Sequence, residues 1–300
     1  MKNNIAVIGL GSMGYGIATS CLRSGHLVWG VDTNIDQVKA FCSQGGQATT
    51  LNSVIDKIDV VVVVVLNSMQ TEEVLFGQEG LVENLKPGTV VISCATVAPT
   101  FAIDMERRCK EFEIFYLDAP ISGGALKAKN GQLSIMASGV KEAFQHARPT
   151  LDSISETVFE LGDEAGTGSA MKSVNQLLAG VHIAVMAEAL TFGISQGISP
   201  DKFVEVISKC AGTSWMLENR APHIVNGDYK PHSSINIWPK DLGIVLDVAL
   251  ESKFNAPIAT AALEQFRTAV DMGLGFEDDA AVAKVYAKSA NLSLPKKNDV

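Results

Sequence analysis

The chain has 300 residues, 47% of them hydrophobic and 19% charged, and a formal net charge of −9. That length is about twice a usual domain, so two domains with substantial cores are expected. An acidic chain with no cluster of lysines and arginines, and no basic stripe interleaved with aromatics, excludes a nucleic-acid partner.

The opening "MKNN" followed by "IAVIGLG" is too short an apolar run for a secretory leader. Strands are predicted at 5–10, 27–31, 60–66, 89–94, 114–119, 133–138 and 157–161, most of them separated by amphipathic stretches such as "MERRCKEF" and "KEAFQHA". The run "VVVVVVL" at 60–66 suits a strand buried on both faces and falls far short of a membrane span. Strands alternating with helices give a doubly wound, mainly parallel sheet of the α/β class. After Leu161 the strand signal fades, and helical periodicity covers 168–196, 201–210, 240–251, 256–273 and 278–289, so the second half is predicted to be all-α. At 1.5 Å per residue the first of these helices is about 43 Å long, enough to leave the sheet domain and form the spine of the next. The expected domains are 1–163 and 164–300, with "PKKNDV" (295–300) as a frayed tail. Cys21, Cys42, Cys94, Cys109 and Cys210 are odd in number and contain no C-x-x-C, and the five histidines form no H-E-x-x-H. A reduced, cytoplasmic, metal-free protein that neither enters nor coats a membrane is expected.

The first chemical signal is "AVIGLGSMGYG", which sets Gly9, Gly11 and Gly14 in G-x-G-x-x-G spacing between a strand and a helix. Gly9 permits the tight turn, Gly11 lets a pyrophosphate approach the backbone, and Gly14 allows close packing of helix on strand. Glycine spacing alone is also met in ordinary turns. Here the second strand ends in Asp32, eighteen residues past Gly14, where a carboxylate can take both ribose hydroxyls. No Arg or Lys precedes Lys39 to balance a 2′-phosphate, so NAD is expected over NADP.

The second signal is a cation in an apolar helix. "GTGSAMKSVNQLLAG" puts Lys172 near a helix N-terminus, facing the positive end of the helix dipole. A free lysine, with a pKa of about 10.4, is a poor base at neutral pH. Burial, the dipole and the positive ring of an oxidised nicotinamide each disfavour the ammonium form, which is what a proton-transferring lysine needs. Asn175, three residues on, shares its helix face and could bond the substrate hydroxyl or hold the amine.

Four segments, "GLGSMG", "DAPISGGALKAKNGQL", "GSAMKSVNQLL" and "WPKDLGIVLD", resemble in kind and order the motif regions of the β-hydroxyacid, or 3-hydroxyisobutyrate, dehydrogenase family. The resemblance implies a Rossmann domain, an all-α second domain joined by a long helix, and a homodimer or homotetramer. It also implies that Lys172 is the catalytic acid-base, that Asn175 is its helper, and that Ser122, Gly123 and Gly124 form a substrate-binding turn suited to a carboxylate. Thr96 matches the threonine beside nicotinamide and substrate, although Ala95 stands where the family usually has serine. Lys240 is expected at a helix start, reaching cofactor or substrate, with Asp241 as a first-turn dipole partner. The expected cofactor set is therefore Gly9, Leu10, Gly11, Ser12, Met13, Gly14, Asp32, Leu66, Thr96 and Lys240, and the substrate set Ser122, Gly123, Gly124, Thr96 and Asn175.

A short hydroxyacid is the implied substrate, with domain closure expected over it. The stretch 6–32 and the polar run "VNGDYKPHSSINIWPKD" look most like members that oxidise the C2 hydroxyl of L-threonate, with Ser233, Ser234 and Asn236 available to a polyol tail. The alternatives are 3-hydroxyisobutyrate or tartronate semialdehyde chemistry. A non-catalytic dinucleotide-binding protein would keep the glycines and Asp32 but not the proton-transfer residues, which are present here.

Overall fold

The computed structural model describes residues 2–47 and 50–297, so the last three residues of the expected tail lie outside the described part. Two compact units divide the chain, Met1–Lys172 and Ser173–Val300. The sequence expectation put this boundary between 163 and 164, ahead of the long helix. The structure puts it inside that helix, because the first helical turn is bonded into the sheet unit, as described below.

The first unit contains β1 (Asn4–Ile8), α1 (Gly14–Arg23), β2 (Leu27–Val31), α2 (Ile35–Ser43), β3 (Val60–Val63), α3 (Ser68–Phe76), β4 (Val90–Ser93), α4 (Pro99–Lys110), β5 (Phe115–Asp118), β6 (Ile121–Ser122), α5 (Gly124–Asn130), β7 (Leu133–Ala137), α6 (Lys141–Ile154) and β8 (Ser155–Glu160). Strands β1 to β5 form a fully parallel sheet in the order β2-β1-β3-β4-β5. Successive residues of each strand face opposite sides. Ile5, Val7, Val60, Val62, Val90 and Ile92 pack with α1 and α6 residues such as Ile17 and Leu151. Ala6, Val61, Val63 and Val91 pack on the other face with Leu75, Met105 and Cys109. A valine run is the natural strand for a sheet covered on both sides.

The single sheet expected from the strand pattern is in fact two. β6, β7 and β8 form a second, mixed sheet, with β6 antiparallel to β7 and β7 parallel to β8. Asp118 and Ser138 join the two sheets by exchanging backbone hydrogen bonds of 3.0 and 2.9 Å.

The helix α7 (Thr167–Ser195) carries the chain out of the first unit. By length and composition alone it could cross a bilayer, but nearly half of its most apolar stretch is buried within the protein. The second unit continues with α8 (Pro200–Ile207), α9 (Trp215–Val225), α10 (Ile237–Glu251), α11 (Pro257–Asp271) and α12 (Ala283–Ser289). Its core joins Ile183, Met186 and Leu190 to Leu217, Trp238, Leu242 and Phe266. The pattern of apolar residues did not reveal α9, which holds Pro222 inside it and is started by Ser214, whose Oγ accepts from Leu217 N–H at 3.1 Å.

Candidate active site

The glycine loop lies at the carboxyl end of β1, where the sheet order switches between β1 and β3. Gly9 has φ +92°, and a Cβ there would come 2.3 Å from the Val64 carbonyl oxygen. A Cβ on Gly14 would come 1.8 Å from the Gly9 carbonyl oxygen. Both glycines are thus required by the protein's own packing. Gly11 is different, since nothing lies within 4 Å of the Cβ it lacks. Its exposed backbone, beside the exposed Ser12, faces open space. No side chain caps α1 and no acid stands in its first turn. An unobstructed backbone at an uncapped helix N-terminus fits a pyrophosphate.

Asp32 follows β2, and its Oδ2 accepts from Leu10 N–H at 2.6 Å while its Oδ1 accepts from Asn34 N–H at 2.7 Å. The carboxylate is therefore held against the glycine loop. Leu10 sends its side chain into the core, being 1% exposed, and Met13 packs against the same core. Leu10 therefore offers a cofactor only its backbone, whereas Met13 is half-buried. Leu66, past the end of β3, is 65% exposed and its N–H donates to Gln70 Oε1 at 2.9 Å. Thr96, past the end of β4, is half-buried between buried Ala95 and Val97. The groups expected after β1 to β4 all stand on one edge of the sheet, and among them the open position at Gly11 and the oriented Asp32 fit a dinucleotide.

Asp118, the last residue of β5, organises the rest of the unit. Its Oδ2 accepts from Gly166 N–H at 3.0 Å and Ser169 N–H at 2.7 Å, and its Oδ1 accepts from Ser169 Oγ at 2.6 Å. Ser138 Oγ accepts from Gly168 N–H at 3.0 Å. The amides that begin α7, which have no partners within the helix, are satisfied by the two residues that join the sheets. Burial pushes the Asp118 carboxyl above its ordinary value, against the hydrogen bonds from Ser169, Gly166 and Ser138. One turn along α7, Lys172 is 7% exposed and its Nζ donates to the Ile121 carbonyl oxygen at 2.8 Å. Ile121 immediately precedes the half-buried Ser122 and the turn at Gly123 (φ +131°) and Gly124 (φ +75°). The structure thus brings Lys172 to the "ISGG" turn.

Asn175 and Lys240 belong to the second unit and meet there through two intermediaries. Asn175 Nδ2 donates to Gln176 Oε1 at 2.9 Å, and Gln176 Nε2 donates to Asp241 Oδ2 at 2.5 Å. Lys240 Nζ lies 2.5 Å from Asp241 Oδ1, as an ion pair without the angle of a directed hydrogen bond. Lys240 does not start its helix, since α10 begins at Ile237 and continues through Pro239. Asp241 lies past the first turn and is buried, so it acts as an internal partner of Gln176 and Lys240 rather than as a dipole partner. The segment before α10 is pinned by Asp279 N–H to the Ser233 carbonyl (2.8 Å), Ile235 N–H to Glu277 (3.0 Å) and Asn236 N–H to Gly275 (3.0 Å).

Two groups of residues were missed by sequence reasoning. Gln176 looks like any polar residue on a helix, and only the contact with Asp241, 65 positions away, marks it. Asp278 is buried, pairs with His223 Nδ1 at 2.8 Å and accepts from His232 N–H at 2.9 Å. The tight "DD" at 278–279 was its only trace.

Residues 4–162 match the family model described as the NAD binding domain of 6-phosphogluconate dehydrogenase, and residues 166–286 match that described as NAD-binding of NADP-dependent 3-hydroxyisobutyrate dehydrogenase. The chain is 46% identical to an L-threonate dehydrogenase of Cupriavidus necator over 95% of its own length and 97% of the relative's. It is 42% identical to an L-threonate dehydrogenase of Escherichia coli over 95% of each chain. The crystal structure of a 3-hydroxyisobutyrate dehydrogenase from Salmonella typhimurium superimposes with a TM-score of 0.89 at 40% identity, covering 95% of this chain and 100% of that one. The chain therefore belongs to the 3-hydroxyisobutyrate dehydrogenase family of β-hydroxyacid dehydrogenases, as an NAD-dependent oxidoreductase acting on a CH–OH group.

Proposed function

We propose that this enzyme oxidises L-threonate at C2 to 2-dehydro-L-erythronate, with Lys172 as the acid-base. The observation that carries this reading is the likeness to L-threonate dehydrogenases at 42–46% identity across nearly the whole chain. When bound, NAD accepts a hydride from the carbinol carbon. The protein supplies the rest. Lys172 Nζ, as the amine, takes the hydroxyl proton while the C2–O bond becomes a carbonyl, and returns it in the reverse direction. Its bond to the Ile121 carbonyl fixes the direction of Nζ, and low exposure keeps water from competing for the proton. Ser122 and the backbone of Gly123 and Gly124 receive the substrate carboxylate. Asn175 accepts a hydrogen bond from a substrate hydroxyl.

The backbone of residues 9–14, together with Asp32, Leu66, Thr96 and Lys240, holds the cofactor. Asp32, with no cation in the six residues that follow it, favours a free ribose 2′-hydroxyl and so NAD over NADP. Met171, Val174, Leu178, Val185 and Phe192 leave an exposed apolar stripe along α7, which supports a homo-oligomer. Five free cysteines support a cytoplasmic setting.

A second reading, oxidation of 3-hydroxyisobutyrate, is favoured by the name of the Salmonella structure. Initial rates with NAD on L-threonate, 3-hydroxyisobutyrate and glycerate, and with NADH on tartronate semialdehyde, decide between them. The expected result is the highest kcat/KM on L-threonate. Negligible turnover of L-threonate beside fast 3-hydroxyisobutyrate oxidation overturns the proposal.

A further inference from the structure

Within the second unit, Asn175, Gln176, Asp241 and Lys240 form one hydrogen-bonded and ion-paired run. Gln176 and Asp241 are both buried. A side-chain amide can be turned end for end with almost no change in shape, so its direction is set by what it must bond. The end of the run fixes everything before it. A carboxylate paired with the Lys240 ammonium only accepts, so Gln176 must turn its NH2 toward Asp241. Its oxygen then faces Asn175, which must bring its own NH2. By covalent geometry the Asn175 oxygen is left pointing away from Gln176.

We propose that Gln176 is a positioning residue that fixes which end of the Asn175 amide is offered to the substrate, and that Asp241 is the source of this polarity. The buried run makes residue 175 an acceptor, which suits a hydroxyl that must donate. Reversed, the same amide would turn its NH2 outward. In naming a substrate hydroxyl as the recipient, the proposal rests on the function proposed above. The direction of the amides does not depend on it.

The test therefore has one arm without substrate. Asn175→Asp puts an acceptor against the Gln176 oxygen, and Gln176 cannot turn because Asp241 also only accepts. The melting temperature is expected to fall by several degrees. Adding Asp241→Asn allows the whole run to reverse, and the double variant is expected to recover most of the loss, whereas simple addition of the two single-variant losses overturns the proposal. The second arm uses Gln176→Met, nearly the same shape with no hydrogen bonds. On whichever hydroxyacid the unaltered enzyme turns over, kcat is expected to fall about tenfold, with the NADH dissociation constant changed less than about twofold. An unchanged kcat overturns the proposal. Failure of L-threonate as substrate affects only the choice of hydroxyacid in the second arm.

Discussion

The Asp118 carboxylate takes both the amide and the hydroxyl of Ser169, at 2.7 and 2.6 Å, and Lys172 stands three residues further along the same helix. Asp118 therefore seats the turn of α7 that carries Lys172. Asp118→Asn keeps one oxygen for the Gly166 and Ser169 amides but sets an NH2 against the Ser169 hydroxyl and removes the charge from all three bonds. We expect a loss of roughly 1–3 kcal/mol in unfolding free energy, measured by urea titration. Turnover should fall more than NADH affinity, because Gly9, Gly11 and Asp32 are anchored elsewhere. Equal losses in both would show that Asp118 supports the unit as a whole instead of aiming the lysine.

Lys172→Ala should lower kcat by about 10²–10⁴-fold and leave NADH binding within about twofold, as read by cofactor fluorescence. Lys172→Arg is the sharper variant. It keeps a cation and a donor for Ile121, yet a guanidinium does not give up its proton near neutral pH, so the same loss is expected. An active arginine variant would move Lys172 from proton transfer to simple charge.

Asp278 gives the second unit a predictable response to acid. Burial raises its carboxyl, but the His223 ring and the His232 and Ala280 amides outweigh that and leave it below its ordinary value of 3.8. A carboxyl held low in the folded state contributes stability that is complete above 3.8 and is lost as pH falls through the folded value. The stability difference between the unaltered protein and Asp278→Asn should therefore be full at about pH 5 and shrink toward about pH 2. Urea midpoints measured across that range check it, and a difference that grows on acidification contradicts the assignment.

What could be read from the sequence was what is local. The glycine spacing and Asp32 lie within one strand-helix-strand unit, so a short stretch carries both the fold and the cofactor. Lys172 stood out because a cation at a buried helix start conflicts with its surroundings. The strand β6 was invisible because Ile121–Ser122 is two residues long, and it owes its existence to pairing with Ile135 and Ser134. The same holds for the second sheet, which is tied to the first where Asp118 meets Ser138, twenty residues apart in the chain. Asp241 was seen but misplaced, since the start of α10 at Ile237 lies ahead of a proline that reads as the helix boundary. Gln176 and Asp278 were silent, because nothing in their own neighbourhoods reveals partners 46 to 65 residues away.

Gly168 has a further consequence. A Cβ there would fall 2.5 Å from the Asp118 carbonyl oxygen and 2.6 Å from that of Met136, so the start of α7 is seated on two strands at fixed atoms. One extra residue between Gly168 and Lys172 would turn everything after it by about 100° and advance it by about 1.5 Å. The amine would swing off the Ile121 carbonyl onto another face of the helix. The length of this four-residue interval, set at one end by Gly168 on the strands, is thus what keeps Lys172 on the Ile121 carbonyl.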